Sequence, residues 1–356
     1  MNDKIEMVIN FHNATVFESA SIHTAILFAR KKSNTSKMKF YTFHKDKLNS
    51  LDLNNDYEIC ELERNSLSDT WIISSAKALQ VIEKMKINSV LLGEITEIAK
   101  GSETGKNGIF SVQKDVLEKY SIESEIVRQC VKNSHVQKYV INKKDLWLIY
   151  CDNDFSKMKY PNAYAYLEGF KKELLDRRGP KSGEYEWWRL HRPSEKKVHD
   201  AKEKLIVPYR GEHNRFAYDD MQCFNDGGDI RAIAIKDNSS FSIKFLLGLL
   251  NSSLLDWFYG FIGKPKGKAR EYFNKPLSEI PIPQTTKEQQ QPIIVLVDQI
   301  LSAKRSNPSF DTTSLESEID KLVYQLYGLS YDEVLLVDPE SPITKKEYEA
   351  NCIKRK

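Results

Sequence analysis

The sequence predicts an α+β protein: a mixed, β-rich middle followed by a C-terminal helical hairpin. Three observations carry this. Short β-like runs at 145–150, 204–208 and 230–235 are spread through the middle of the chain. Two stretches there, 163–178 and 242–261, have helical spacing. In the second, Phe245, Leu246, Leu249, Leu250, Leu254, Trp257 and Phe258 recur as a core-packing stripe. Beyond residue 285, helices are expected over 293–305 and 314–327, the second stopping at Gly328 as a C-cap requires.

In chain order, residues 4–20 read as a strand over 6–11, a turn, and Val16-Phe17. Residues 21–31 carry Ile22, Ile26, Leu27 and Phe28 and suit a strand or a short helix; 39–43 is a further strand. A segment of about 70 residues with few long apolar runs buries little core alone, so this opening reads as the edge of a domain. The run 89–95 is strand-like, and 276–283, with Pro276, Pro281 and Pro283, is an extended connector because proline fixes φ and disfavours helix before it. The expected divisions are 1–75, 76–285 and 286–356.

At 356 residues, 40% hydrophobic and 29% charged, the composition is that of a globular protein with a real core. Net charge is only +3, so local distribution matters more. Residues 171–215 hold 13 Lys/Arg against 8 Asp/Glu, and 264–275 hold five basic residues against Glu271 alone. Both suit nucleic acid, and both also suit an ordinary solvated face. Cys60, Cys130, Cys151, Cys223 and Cys352 form no CxxC pair and read as reduced, intracellular thiols. No stretch approaches a membrane span, and a cytoplasmic location is expected.

The polar loop Gly101-Ser102-Glu103-Thr104-Gly105-Lys106-Asn107-Gly108 is the most informative stretch. Its glycines permit close backbone approach, and its amides, hydroxyls and ammonium groups suit a phosphate backbone. An ordinary hairpin loop shows the same pattern.

Several stretches together resemble the TaqI-like C-terminal specificity domain of DNA adenine-N6 methyltransferases, found in fused type II restriction-modification enzymes and related phage-defence methylases. The loop above is similar to the family's G-x-x-x-T-G-x-N-x-x-F. Tyr160-Pro161, Leu174, Arg177 and Trp187-Trp188-x-Leu190-x-Arg192-Pro193 resemble its Y-P…L…R…W-W-x-L-x-R-P run. Ile206-Val207-Pro208 with Asn214, Phe216 and Asp219, then 247–258 through Ile280-Pro281-Ile282-Pro283, and lastly 318–328, resemble its later strands and helices. Residues 5–45 resemble the last strands of a preceding methylase domain. One departure is the segment Arg128–Tyr139, which lacks the glycine of the family's G-K-D-I-x-R-Y. The resemblance implies a DNA target-recognition domain at 76–285, an N-terminal methylase remnant and a C-terminal spacer or docking segment. S-adenosylmethionine would be the cofactor of the catalytic half.

That catalytic half is not written in these residues. No S-adenosylmethionine loop and no N-P-P-Y turn occur; Asn307-Pro308-Ser309-Phe310 lacks the second proline and lies between helices. Glu195-x-Lys197 and Asp200-x-Lys202 fit a short nuclease pattern but sit in a charged run without an acidic strand to share Mg²⁺. His199 and His213 have no metal-ligand spacing. No catalytic, cofactor-binding or metal residue is therefore expected.

The expected DNA-binding residues fall in four places: Lys100, Ser102, Thr104, Lys106 and Asn107; Arg128, Lys132, His135, Lys138 and Tyr139; Arg177, Arg178, Lys181, Arg189 and Arg192; and Lys264, Lys266, Lys268 and Arg270. Arg and Lys suit guanine edges and phosphates, Asn suits adenine. Trp187 and Trp188 read as core, with Arg189 and Arg192 facing outward if this run is a strand. The expected function is sequence-specific recognition of double-stranded DNA for a methylase in cis or in trans. A docking subunit for a separate methylase stays open, and a metal-dependent nuclease ranks below both.

Overall fold

The computed structural model describes residues 5–11, 16–17, 24–31, 36–43, 57–63, 72 and 74–350. Sequence expectations at residue 4, at 12–15, at 18–23 including Ile22, and at Cys352 lie outside these. The chain divides into two units, Met1–Lys84 and Met85–Lys356. It is a mixed α and β architecture of several small open sheets, as the strand and helix patterns predict.

The first unit is a four-stranded sheet. Strand β1 (Ile5–Asn10) pairs antiparallel with β2 (Ala25–Ala29) and parallel with β3 (Lys37–Phe43), and β3 pairs antiparallel with β4 (Tyr57–Glu63). Ile5, Val8, Met38 and Phe40 form one small core with Leu79 of helix α1 (Ala76–Lys86); Phe11 and Phe43 form another with Ile9, Val16 and Tyr57. At residues 25–29 the strand alternative holds. This edge strand, Ala-Ile-Leu-Phe-Ala, is exposed along its whole length.

The second unit carries, in chain order, strands β5 (Ser89–Leu91), β6 (Thr96–Lys100), β7 (Ser111–Val112), β8 (Val127–Gln129), β9 (Trp147–Ile149), β10 (Lys204–Pro208), β11 (Arg210–Gly211), β12 (Ala217–Asp219), β13 (Ile230–Ile235), β14 (Lys264–Lys266), β15 (Ala269–Glu271) and β16 (Pro281–Pro283). The antiparallel sheet β12-β10-β13-β6 is its centre, with β10 and β12 entirely buried. Across β10 and β12, Lys204 and Asp219 face each other in register and pair at 2.6 Å with no exposure. Asp219 also accepts from the Cys223 amide, and Lys204 donates to the His199 carbonyl, so both charges are satisfied. Removing one partner of such a pair typically costs about 3–5 kcal/mol.

Beside this sheet, β7-β9-β8 covers a large core, where Phe110, Leu148, Tyr166, Leu167, Trp187 and Leu190 meet. The expected helix 163–178 is three pieces: α2 (Pro161–Glu168), then Lys171–Leu175 and Arg178–Ser182. Gly169 ends the first, and Arg177 leaves the helical region with ψ of 152°, which turns its side chain inward. The expected strand 89–95 stops at Leu91, where a helical turn Leu92–Ile95 begins. The connector 276–283 opens as the helical turn Asn274–Ser278, which tolerates Pro276 because first-turn amides need no intrahelical acceptor.

The apolar stretch 242–261 is likewise two helices, α3 (Ile243–Leu250) and α4 (Ser253–Ile262), bent by 72°. Ser252 caps α4 by accepting from the Leu255 amide, while Asn251 exchanges two bonds with the Phe216 backbone. The break therefore ties these helices to β12. Among the described residues no single helix is long and apolar enough to cross a membrane. Helix α5 (Lys287–Ser306) packs on α3, where Gly248 leaves room for Ile293 and Val297; a Cβ there would stand 2.5 Å from Ile293. Helix α6 (Thr313–Leu326) follows, ending before Gly328 at φ +69°.

Two buried groups make folding respond to pH in opposite ways. Burial, reinforced by Lys204, pulls the His199 imidazole down to about 4. Between that value and about 6.5 the unfolded chain binds a proton that the folded chain refuses, so His199 weakens folding as pH falls. Burial pushes Asp320, which accepts from the Ser253 amide and hydroxyl, up to about 6. Folding therefore strengthens at this carboxyl as pH falls through the same range. Each effect is on the order of 3 kcal/mol. Asp320→Asn is expected to leave His199 unopposed, so the stability of the variant relative to wild type falls by about that amount between pH 7 and 4. Parallel denaturant midpoints across that range would contradict this.

Candidate nucleic-acid interface

The glycine-rich loop leaves the end of β6 and is woven into two distant segments. The Glu103 amide donates to Arg192 O at 2.8 Å and the Arg192 amide returns a bond to Glu103 O at 2.9 Å. The Thr104 amide donates to Asp226 O, and Gly101 to Ile230 O. Gly101 is required here, since a Cβ would stand 1.6 Å from Asn225 Oδ1. Gly105 takes φ +75°, a region open to glycine.

Arg177 fixes this weave from beneath. Its guanidinium donates to four carbonyls: Thr104 at 2.8 Å, Trp187 at 2.5 Å, Arg189 at 2.9 Å and Leu174 at 3.1 Å. It also lies over the Phe110 and Tyr185 rings. Burial lowers its pKa from the ordinary value, and carbonyl dipoles in place of a carboxylate balance the charge. Only a planar fork of donors spans carbonyls so arranged.

Four expected contact residues therefore lie inside the protein. Arg177 is buried as described. Ser102 donates its hydroxyl to Ser194 Oγ and accepts from the Ser194 amide, Thr104 bonds to Asn107 Oδ1 and accepts from the Lys106 amide, and Tyr139 pairs through its backbone with 216–218. All four are under 8% exposed, so they shape the surface from within.

Above this scaffold the structure brings together Lys100, Lys106, Asn107, Arg192 and Lys132. Lys106 and Asn107 are exposed at the loop tip. Lys100 pairs with Glu103, which also receives Arg192 Nη1 at 3.6 Å. Burial works against the Glu103 charge, but Lys100 and Arg192 outweigh it and hold its pKa below the usual value. Lys132 reaches Asp226 at 3.5 Å. His135, through Nδ1, accepts from the Lys132 amide, and burial together with Lys144 and Lys132 lowers its pKa.

The other expected residues fall elsewhere. Arg128 is tied to Asp200 at 2.9 Å and lies over Phe224. Lys138 pairs with Glu316 of α6. Arg178 and Lys181 are exposed on their short helix, where Lys181 pairs with Asp176. Arg189 bonds to Asn153; its run is a turn, not the alternating strand, while Trp187 is buried in the core as expected. The basic run 264–270 is the hairpin β14–β15, turning at Gly267 with φ +61°. Lys264 pairs with Glu271, Arg270 is held by Asp256, and Lys266 and Lys268 stand exposed.

Sequence reasoning missed the loop Asn225-Asp226-Gly227-Gly228-Asp229, which receives Glu103, Thr104, Lys132 and the stem of Lys100. Asp229 accepts from Asn225 and from the Asn133 amide, and Gly228, at φ +67°, leaves 2.8 Å between a would-be Cβ and Lys100. The Gly-Gly pair flanked by acids was its signal. Among the described residues no group of three or more His, Cys, Asp or Glu is placed to hold a metal.

Residues 129–282 match the family model of the TaqI-like C-terminal specificity domain. This part of the chain is similar to the TaqI-like specificity domains. The chain is 24% identical to the type II restriction enzyme and methyltransferase RM.Eco57I of Escherichia coli, over 91% of its own length and 36% of that protein. It is 27% identical to the type II methyltransferase M.MjaIV of Methanocaldococcus jannaschii, over 66% of its own length and 80% of that protein. Among solved structures, the type IIL restriction-modification enzyme MmeI, determined in complex with DNA, has a TM-score of 0.57. That match covers 98% of this chain and 46% of MmeI at 13% identity, and is a likeness of fold. The chain thus spans about a third of the Eco57I enzyme and under half of MmeI.

The loop scaffold hangs on Arg177. Arg177→Lys, which keeps the charge but offers one point donor for a fork, is expected to cost about 2–4 kcal/mol by leaving buried carbonyls unpaired. A denaturant midpoint within 0.5 kcal/mol of wild type would contradict this role.

Proposed function

We propose that this chain recognises a specific sequence in double-stranded DNA on behalf of a DNA adenine-N6 methyltransferase or restriction-modification enzyme. The observation that carries this reading is the convergence of Lys100, Lys106 and Asn107 with Lys132 and Arg192, the last two inside the stretch that matches the specificity-domain model, on one hydrogen-bonded loop scaffold. Lys106 and Asn107 are the readers in this account: a long cation for phosphate or guanine and an amide for adenine. Arg192, Lys132 and the free hairpin residues Lys266 and Lys268 grip phosphates and set register. Arg178 and Lys181 add charge to the flank.

Residues 1–75 are read as the end of a methylase domain and 286–356 as a segment that spaces or docks the recognition domain. The exposed apolar edge strand β2 supports docking to a catalytic domain, because an edge that no further described strand pairs, carrying Ile26, Leu27 and Phe28 and no charge, invites another strand. S-adenosylmethionine belongs to that catalytic partner in this reading. The relatives are named as methyltransferases, and catalysis is assigned to the partner rather than to this chain.

Selection from a randomised duplex pool at two salt concentrations tests the reading. Enrichment of one short motif containing an adenine is expected. Lys106→Ala with Asn107→Ala is expected to relax preference at particular positions while leaving other positions intact. Absence of binding at low salt would sink the proposal, and an unchanged motif in the double variant would remove the loop tip as its reader.

A further inference from the structure

The basic surface continues past the specificity loops to the C-terminal helices. From Lys132 and His135 the chain passes through a tight loop, closed by the Val136–Ile141 bridge and by the bond from the Asn142 amide to His135 O, to Lys143 and Lys144. Lys144 and Lys132 both act on the charge of His135, so this end of the patch is contiguous. Beyond it lies a groove of about 950 Å³. Gln137, Asn142 and Lys143 line one wall, and Lys304, Arg305 and Ser309, at the end of α5 and in the link after it, line the other.

Two acids beside this groove are already committed. Asp220 pairs with Arg305 at 2.5 Å, and Glu316 pairs with Lys138. Lys143 is exposed without an acidic partner among the described residues, and Lys304 donates to the Phe310 carbonyl at 3.4 Å and makes no ion pair among the described residues, though its charge is felt by the exposed Asp311. Lys304 and Arg305 also complement the C-terminal end of the α5 dipole, which accounts for basic residues on α5. It does not account for Lys143 and the amides facing them across an open groove.

We propose that this groove holds the sugar-phosphate backbone of duplex DNA, making the end of α5 part of the DNA interface rather than a spacer alone. The proposal rests on the DNA-recognition reading above. Two cations with amides between them suit a phosphate strand entering from the Lys132 side. Because the contact is to backbone, it contributes affinity and register for every sequence alike.

The test is binding of the 356-residue chain to a mixed-sequence 30-base-pair duplex, read by fluorescence anisotropy over a salt series. Lys143→Ala with Lys304→Ala is expected to weaken binding at each salt concentration and to lower the salt slope by about two. Lys345→Ala with Lys346→Ala, on the last helix, removes the same charge and serves as the comparison. A groove variant whose slope and affinity match this comparison would overturn the groove while leaving the DNA reading intact. Failure of the wild-type chain to bind the duplex at low salt would overturn both. Equal thermal melting of the two variants confirms that folding does not explain the difference.

Discussion

One buried guanidinium holds the surface on which this account depends. Arg177 joins the glycine-rich loop, the turn at 187–189 and the helix Lys171–Leu175 through four carbonyl bonds. Without it, a loop of three glycines would lose conformational entropy on ordering with few side-chain contacts in return. With it, Gly105 and Thr104 sit against a fixed plane, and the reciprocal bonds between Glu103 and Arg192 close the weave. Lys106 and Asn107 then project from a rigid base, which base readout requires and a free loop does not provide.

A second constraint is the buried pair Lys204–Asp219, which pins β10 to β12 and, through the His199 carbonyl, the turn Lys196–His199 as well. His199 Nε2 lies 3.3 Å from Lys100 O, where the specificity loop begins. The central sheet and the loop scaffold are thus one hydrogen-bonded body. Asn251 and Asn214 extend it to the helices, the latter through bonds to Leu250 O and from Tyr272.

Much of this was legible in the sequence. Strands at 145–150, 204–208 and 230–235 fall close to where their apolar patterns put them, and the helix expected over 314–327 and Gly328 stand close to their expected limits. The helix expected over 293–305, by contrast, begins already at Lys287, holding Pro292 in its early turns, and two short helices, Tyr331–Val337 and Lys345–Ala350, follow the expected hairpin. The loop at 101–108 and the W-W-x-L-x-R-P run meet in space, which their shared family pattern anticipates. What periodicity did not reveal were the breaks. The stretch 242–261 reads as one apolar helix because Asn251-Ser252 occupies only two positions of the stripe. The cap at Ser252 and the Asn251 bonds to Phe216 depend on a strand far away in sequence. Arg177 reads as half of a basic pair beside Arg178, and nothing local distinguishes the buried one from the exposed one. The loop 225–229 passed unnoticed because its function is to receive other segments.

The central claim is that one face, built from residues 100–107, 132–144, 190–192 and 225–229, meets duplex DNA. Amide hydrogen exchange of the whole chain with and without its selected duplex measures this most directly. The account predicts added protection in those four segments and at the β14–β15 turn, with the first unit unchanged. Protection confined to the first unit, or absent from all four segments under saturating duplex, would contradict it.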